Sequence, residues 1–144
     1  MRIASTKFQN GESIPQKYTC DGMNISPPII FSDIPMNAQS FALIMDDPDA
    51  PSGTFTHWLV WNIPSNVKEL KENEQNYIQG RNDAGKIGYT GPCPPSRIHR
   101  YFFKLYALNG ELTLPKGSTK SQLLKAMEYH TVAKTELIGR YGRG

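Results

Sequence analysis

The feature that most constrains this chain is the stretch Asp46-Asp47-Pro48-Asp49-Ala50-Pro51-Ser52-Gly53-Thr54-Phe55-Thr56-His57-Trp58. Its acids fall in a turn stiffened by Pro48 and Pro51, between an apolar run ending at Met45 and another beginning at Phe55. Asp and Pro in this order favour a turn, so the acids gather where two strands end. A second segment, Gly91-Pro92-Cys93-Pro94-Pro95-Ser96-Arg97-Ile98-His99-Arg100-Tyr101, has the same construction of rigid loop, histidine and strand. The two loops are expected to meet at the rim of one pocket.

The 144 residues fit a single domain, 1–144, and a chain of this size buries close to about 70% of the surface it exposes when unfolded. Lys plus Arg at 16 against Asp plus Glu at 13 leaves +3. With no block of five or six like charges, nucleic-acid or membrane-surface binding gets little support. The apolar runs are far shorter than the roughly 18 residues of a membrane span, and the N-terminus has no signal-like apolar region. A soluble cytoplasmic protein is expected. Cys20 and Cys93 make no CxxC pair, which disfavours zinc. A reducing compartment favours two free buried thiols over a bridge.

Along the chain, Lys7 to Ser26 is a polar, turn-rich excursion leading into a short strand at Ile29-Ile30-Phe31. Ser40 to Met45 and Phe55 to Ile63 are near-continuously apolar, as central strands buried on both faces are. Alternation places Phe55, His57, Leu59, Trp61 and Ile63 on one face of the second strand. Val67 to Gly85 is hydrophilic and reads as a loop or a pair of weak edge segments. His99 to Leu108 is strand-like, with His99, Tyr101, Phe103, Leu105 and Ala107 on one face and Arg100, Phe102, Lys104 and Tyr106 on the other. Asn109-Gly110 predicts a hairpin that pairs Glu111 to Leu114 back onto this strand. One helix is expected after Gly117, opened by a Thr119/Gln122 capping box and ending near His130, with an extended closing segment over Thr131-Val132 and Leu137 to Tyr141. A longer helix there is the alternative. The sum is a β-rich, mainly antiparallel domain.

Asp47 and Asp49 around Pro48 can serve a metal, an acid/base pair or merely a turn. His57 on an apolar face suits either a satisfied core residue or a working one. If Asp47 or Asp49 accepts from its ring, the tautomer is fixed and the positive form is favoured, which suits an anion. His99, the Tyr101 hydroxyl and backbone N–H groups around Gly91 extend this anion-sized set, and the carboxylates suit an attached ammonium. A catalytic reading needs a nucleophile, and Ser52 and Cys93 are the candidates nearby, neither in a GxSxG elbow. Cys93 activated by His99, or a metal held by His57, His99 and one Asp, are the enzymatic alternatives.

Taken together, Asp47-Pro48-Asp49-Ala50-Pro51, His57-Trp58, Gly91-Pro92-Cys93-Pro94-Pro95 and His99-Arg100-Tyr101 resemble the signature of the phosphatidylethanolamine-binding proteins, the family that includes the Raf kinase inhibitor protein. Ile14-Pro15, Tyr18-Thr19-Cys20-Asp21-Gly22, Ser26-Pro27-Pro28 and Glu136-Leu137-Ile138-Gly139-Arg140-Tyr141 resemble its short bacterial and archaeal YbhB/YbcL-like branch. The resemblance implies two antiparallel β-sheets with a short helix in the C-terminal half, and a small pocket for phosphate-like anions such as the phosphoethanolamine head group. By motif position Asp47, Asp49, Pro51, His57, Pro95, His99 and Tyr101 line it, with Gly91 and Cys93 in the adjoining loop. It implies binding without catalysis, metal or cofactor, and a homodimer; the alternative role is inhibition of a serine protease or kinase. Only Ser96-Arg97-Ile98 separates Pro95 from His99, fewer residues than in the mammalian pattern, so a tighter rim is expected on that side.

Overall fold

A computed structural model describes residues 1–143. In chain order the elements are β1 (Arg2–Ala4), a 3-10 turn (Gln16–Tyr18), β2 (Ile29–Ser32), β3 (Ser40–Asp47), β4 (Phe55–Pro64), β5 (Glu69–Leu70), β6 (Ile78–Gln79), β7 (Ile98–Leu108), α1 (Lys120–Met127) and β8 (Thr131–Gly142). They form a small sheet in the order β1-β2-β5 and a large one in the order β6-β4-β3-β7-β8. Neighbouring strands in both are antiparallel. Over the described residues the protein is thus mainly β, with two antiparallel sheets and one α-helix.

The apolar run of β3 is explained by its place at the centre of the large sheet, covered on both faces. Phe41, Leu43 and Met45 pack toward the small sheet with Ile3, Ile29 and Phe31. Ala42 and Ile44 pack with Leu123 and Met127 of α1. Each large side chain so buried contributes on the order of 1.5–3 kcal/mol. The layers are therefore small sheet, large sheet and helix. Past the core, the same alternation carries Asp47 onto the side of Met45 and Asp46 onto the side of Ile44. The predicted faces of β7 hold: Tyr101, Phe103, Leu105 and Ala107 all lie in the core between the sheets.

β4 departs from simple alternation twice. Met45 pairs with Trp58 and Asp46 with Thr56, which leaves His57 as an extra residue in β4. Phe41 pairs with Ile63 and Leu43 with Val60, so Trp61 and Asn62 together oppose Ala42, and Asn62 takes a left-handed φ of 53°. These are β-bulges, which re-aim side chains. The expected common face of Phe55, His57, Leu59, Trp61 and Ile63 is corrected accordingly. Leu59 and Trp61 pack on the helix side, Ile63 joins Trp58 and Val60 between the sheets, and His57 reaches Tyr101 at a ring separation of 5.3 Å.

The Asn109-Gly110 hairpin is also corrected. β7 pairs on this side with β8, and Glu111 to Leu114 forms no strand. Leu112 instead docks on the Asn62 bulge, its N–H donating to Asn62 Oδ1 at 2.8 Å and its carbonyl accepting from Nδ2 at 2.9 Å. The helix has the expected capping box at Thr119 and Gln122. It stops at Met127 rather than near His130, because Tyr129 turns left-handed at φ 66° and sends the chain into β8. The β8 strand is the expected extended closing segment, one continuous ribbon. Val67 to Gly85 does contain two short edge strands, β5 and β6.

Cys20 and Cys93 are bridged, which overturns the expectation of free thiols. The two loops already touch through their backbones, with Cys20 N–H donating to the Pro92 carbonyl at 3.1 Å, and the Cα atoms lie 5.4 Å apart. That separation is within the range a disulfide spans. Spacing in sequence carries no trace of it. Among the described residues no helix is long and apolar enough to cross a membrane.

Candidate functional site

The two proline-stiffened loops do meet. Asp47, Pro51, Phe55, His57, His99 and Tyr101 line a cavity of about 170 Å³ closed on one side by the Thr90 to Pro95 loop. Pockets for drug-sized ligands run to about 300–1,000 Å³, so this one suits a small head group. Each strand supplies a residue where it leaves the core: Asp47 from the end of β3, His57 from the bulge in β4, His99 and Tyr101 from the start of β7. Pro51, Gly91, Cys93 and Pro95 lie in the wall as expected.

His99 is buried, and its Nδ1 lies 2.7 Å from Asp47 Oδ2. A carboxylate only accepts, so Nδ1 carries the proton and Nε2 is the nitrogen left for a ligand. His57 does not bond to Asp47 or Asp49. Its Nδ1 meets the Thr90 carbonyl, which again makes Nδ1 the donor and leaves Nε2. Burial is the largest influence on His57 and lowers its pKa, partly opposed by the Thr90 bond and by Asp47. The condition for a positive ring, a bond to Asp47 or Asp49, is therefore not met: desolvation outweighs the distant carboxylates, and the ring is neutral near pH 7. Phe55 and Tyr101 pack on this ring at 4.8 and 5.3 Å. Among the described residues, the one buried side-chain polar atom without a partner is the Tyr101 hydroxyl oxygen. Burial first, then the charge of Asp47 and an approach to its carboxylate that falls outside hydrogen-bond geometry, raise the Tyr101 pKa, so the hydroxyl keeps its proton.

Asp49 does not line the cavity. Its carboxylate is taken by Arg100, which donates its backbone N–H, Nε–H and Nη2–H to it at 2.9 Å each. The Arg100 bonds lower the Asp49 pKa to about 2. Asp47 is likewise occupied, since its Oδ1 accepts the Asp49 N–H at 2.8 Å while Oδ2 holds His99. Asp49 therefore stands outside the cavity, and Asp47 enters it with one hydrogen bond already on each oxygen. The Gly91 N–H is also used, donating to Asn24 Oδ1 at 2.8 Å. Gly91 is there for closeness: a Cβ would stand 2.3 Å from the Tyr18 carbonyl oxygen. Cys93, being bridged, has no thiolate to act as a nucleophile. Among the described residues no group of three His, Cys, Asp or Glu side chains is arranged to hold a metal ion.

Two positioning residues escaped the sequence reading. Thr90 bonds the β4 backbone through its N–H to the His57 carbonyl at 3.1 Å, and its own carbonyl orients the imidazole. Buried Asn82 donates through Nδ2 to the carbonyls of Gly88 and His57 and to Thr90 Oγ1, and accepts the N–H groups of Ala84 and Lys86 through Oδ1. Asn82-Asp83 looks in sequence like any polar turn. The one available signal is that Asn self-bonds such turns, which says nothing of the strand it also holds.

A β-sheet protein with a small histidine- and tyrosine-lined cavity at the ends of its central strands is the class that these features define. A sequence model described as "Phosphatidylethanolamine-binding protein" matches residues 4–142, and the chain belongs to that family. It is 48% identical over 151 residues to a UPF0098 protein of Methanothermobacter thermautotrophicus, covering all of both chains. It is 50% identical to a UPF0098 protein of Aquifex aeolicus, covering 99% of this chain and 89% of that one. Among solved structures, the phosphatidylethanolamine-binding protein homologue CT736 of Chlamydia trachomatis superposes with a TM-score of 0.95 at 46% identity, covering 99% of this chain and 97% of the other. YbcL of E. coli gives 0.92 at 29% identity, covering 99% and 98%. Family membership makes this a binding protein and fits the YbhB/YbcL-like branch.

Proposed function

We propose that the chain is a non-catalytic binding protein whose cavity takes the phosphoryl head of a small ligand, inorganic phosphate or a phosphomonoester such as phosphoethanolamine. One observation carries this reading: three polar groups of a single cavity, Nε2 of His57, Nε2 of His99 and the Tyr101 hydroxyl, have no partner in the protein. The hydroxyl donates to an oxyanion. The neutral His57 ring accepts, so it matches a phosphoryl group that still carries one proton, or takes that proton from it. The second proton of a phosphomonoester leaves near pH 6. Binding should therefore tighten as pH falls from 8 to 6. Because both carboxylates are already paired, the ethanolamine ammonium adds little, and phosphate and phosphoethanolamine should bind within a fewfold of each other.

Titrating either ligand into the protein at pH 6 and pH 8 while following the His57 and His99 ring resonances tests this. Shifts in both rings, larger at pH 6, are expected. Rings unmoved at millimolar ligand overturn the reading. Inhibition of a serine protease or kinase is the second reading, supported by the exposed rim Ser96-Arg97-Ile98, in which Arg97 is held out at a left-handed φ of 63°. A protease and kinase panel with no inhibition removes it.

A further inference from the structure

Beside the mouth of the cavity the surface carries cations that the site itself does not use. Two shallow depressions, of about 420 and 390 Å³, share Arg97, Ile98 and Arg140. Asp49, His99 and Arg100 line the second depression, and His99 also lines the phosphoryl cavity, so the two share one residue. The register explains the cluster. Arg97 immediately precedes β7, and Arg140 sits on β8 directly opposite Arg100. The Arg140 backbone is held on its other side by the N-terminal loop, through bonds to Glu12 and Ile14.

The acids nearby are mostly spent. Asp49 is bound by Arg100 and Asp21 by Arg143. Glu12 is the remaining carboxylate in the wider depression, where Arg97, Arg140 and Arg143 also stand. Among the described residues the guanidinium groups of Arg97 and Arg140 make no ion pair. Holding like charges together on strand ends and leaving them without carboxylates is unfavourable in the free protein. An anion placed between them removes that repulsion, and guanidinium groups bind phosphoryl oxygens in forked pairs.

We propose that Arg97 and Arg140 form a second anion subsite, continuous with the cavity through His99, and that the ligand class is a small molecule bearing two phosphoryl groups. The first phosphoryl sits among His57, His99 and Tyr101, and the second lies on the arginine pair. This deepens the phosphoryl-binding reading and rests on it. The subsite is exposed, so its contribution is screened by salt, whereas that of the enclosed cavity is screened much less.

The test uses calorimetry with inorganic phosphate and with a series of methylene-spaced bisphosphonates, on the intact protein and on Arg97→Ala and Arg140→Ala. Both substitutions are on exposed side chains and leave the cavity lining in place. At low salt the bisphosphonate of best-fitting length should bind about tenfold tighter than phosphate, the gain expected of one charge-assisted contact. Each variant should lose most of that gain while its phosphate affinity stays within twofold, and 0.5 M salt should erase the gain in the intact protein. A bisphosphonate no tighter than phosphate, or a gain that survives both substitutions, overturns the subsite. If phosphate fails to move the His57 and His99 rings but bisphosphonates still bind in an arginine-dependent way, the cavity reading falls and the arginine site stands as a separate anion site, contrary to the continuity proposed. If neither probe binds, both readings fall.

Discussion

At the scale of single residues, the cavity is built by giving His57, His99 and Tyr101 one partner too few. Tyr101 is the clearest case, fully buried with its hydroxyl unpaired. An unsatisfied buried donor destabilises by about 1–3 kcal/mol. Tyr101→Phe keeps the ring against His57 and removes the orphan, so unfolding in urea should show unchanged or higher stability, by up to about 1 kcal/mol, while phosphate affinity falls. A loss of stability with affinity intact would mean the hydroxyl is structural. His57 makes a prediction in pH. Its folded pKa lies below the ordinary histidine value of about 6.5, with burial the largest cause. Below pH 6.5 the unfolded chain takes up a proton that the folded one resists, so stability declines as pH falls from about 6.5. Asp49, lowered to about 2 mainly by the Arg100 side chain, adds stability above pH 4 that is lost between about 4 and 2. Denaturant midpoints against pH should show both steps, and His57→Gln should flatten the first and spare the second.

At the scale of elements, what was legible in sequence was what repeats. The two-residue period of β7 assigned His99 and Tyr101 to the core face correctly, because that strand pairs without interruption from Ile98 to Ala107. The same rule misplaced His57, because β4 inserts residues at His57 and near Asn62 that β3 does not match. A bulge answers to the neighbouring strand, and its own sequence here carries no glycine to announce it. The hairpin failed for a related reason. Asn109-Gly110 permits a tight turn, but the Asn62 bulge offers Leu112 a side-chain amide with the donor and acceptor of a peptide group, and the whole of β8 fills the β7 edge. Asn62 therefore combines a left-handed backbone with two bonds to Leu112. Asn62→Gly keeps the conformation and loses the bonds, costing about 1–2 kcal/mol, and Asn62→Ala loses both, costing about 2–3 kcal/mol. Urea midpoints falling in the order wild type, Gly, Ala check this; Ala at or above Gly would show that the turn is not under strain.

At the scale of the whole molecule, the site is where three layers run out of core, and long-range links hold its loops in place. Eight of the nine residues that the resemblance pointed to come together around one cavity because its motifs sit at fixed places in the chain, and Asp49 does not. The partner of each polar group was not legible, since His57 with Thr90 and Asp47 with His99 are separated by 33 and 52 positions. The Cys20–Cys93 bridge spans 73 positions and ties the N-terminal excursion to the loop that closes the cavity. In the chain-entropy account a loop of this length stabilises by about 4 kcal/mol, and removing a native disulfide typically costs about 2–5 kcal/mol. Two effects can be separated by their location. Cys20→Ser with Cys93→Ser should lower the urea midpoint in line with that range, as should reductant on the wild type. Because Tyr89 and Cys20 also hold the same loop through bonds to Tyr18 and Pro92, the wall should survive in the folded population. The His57 and His99 rings should then keep their positions and their response to phosphate, with affinity reduced less than tenfold. A variant as stable as wild type would show that the unfolded chain is already constrained there. One that stays folded but loses all ring response to phosphate would show that the bridge, rather than the hydrogen bonds beside it, shapes the cavity.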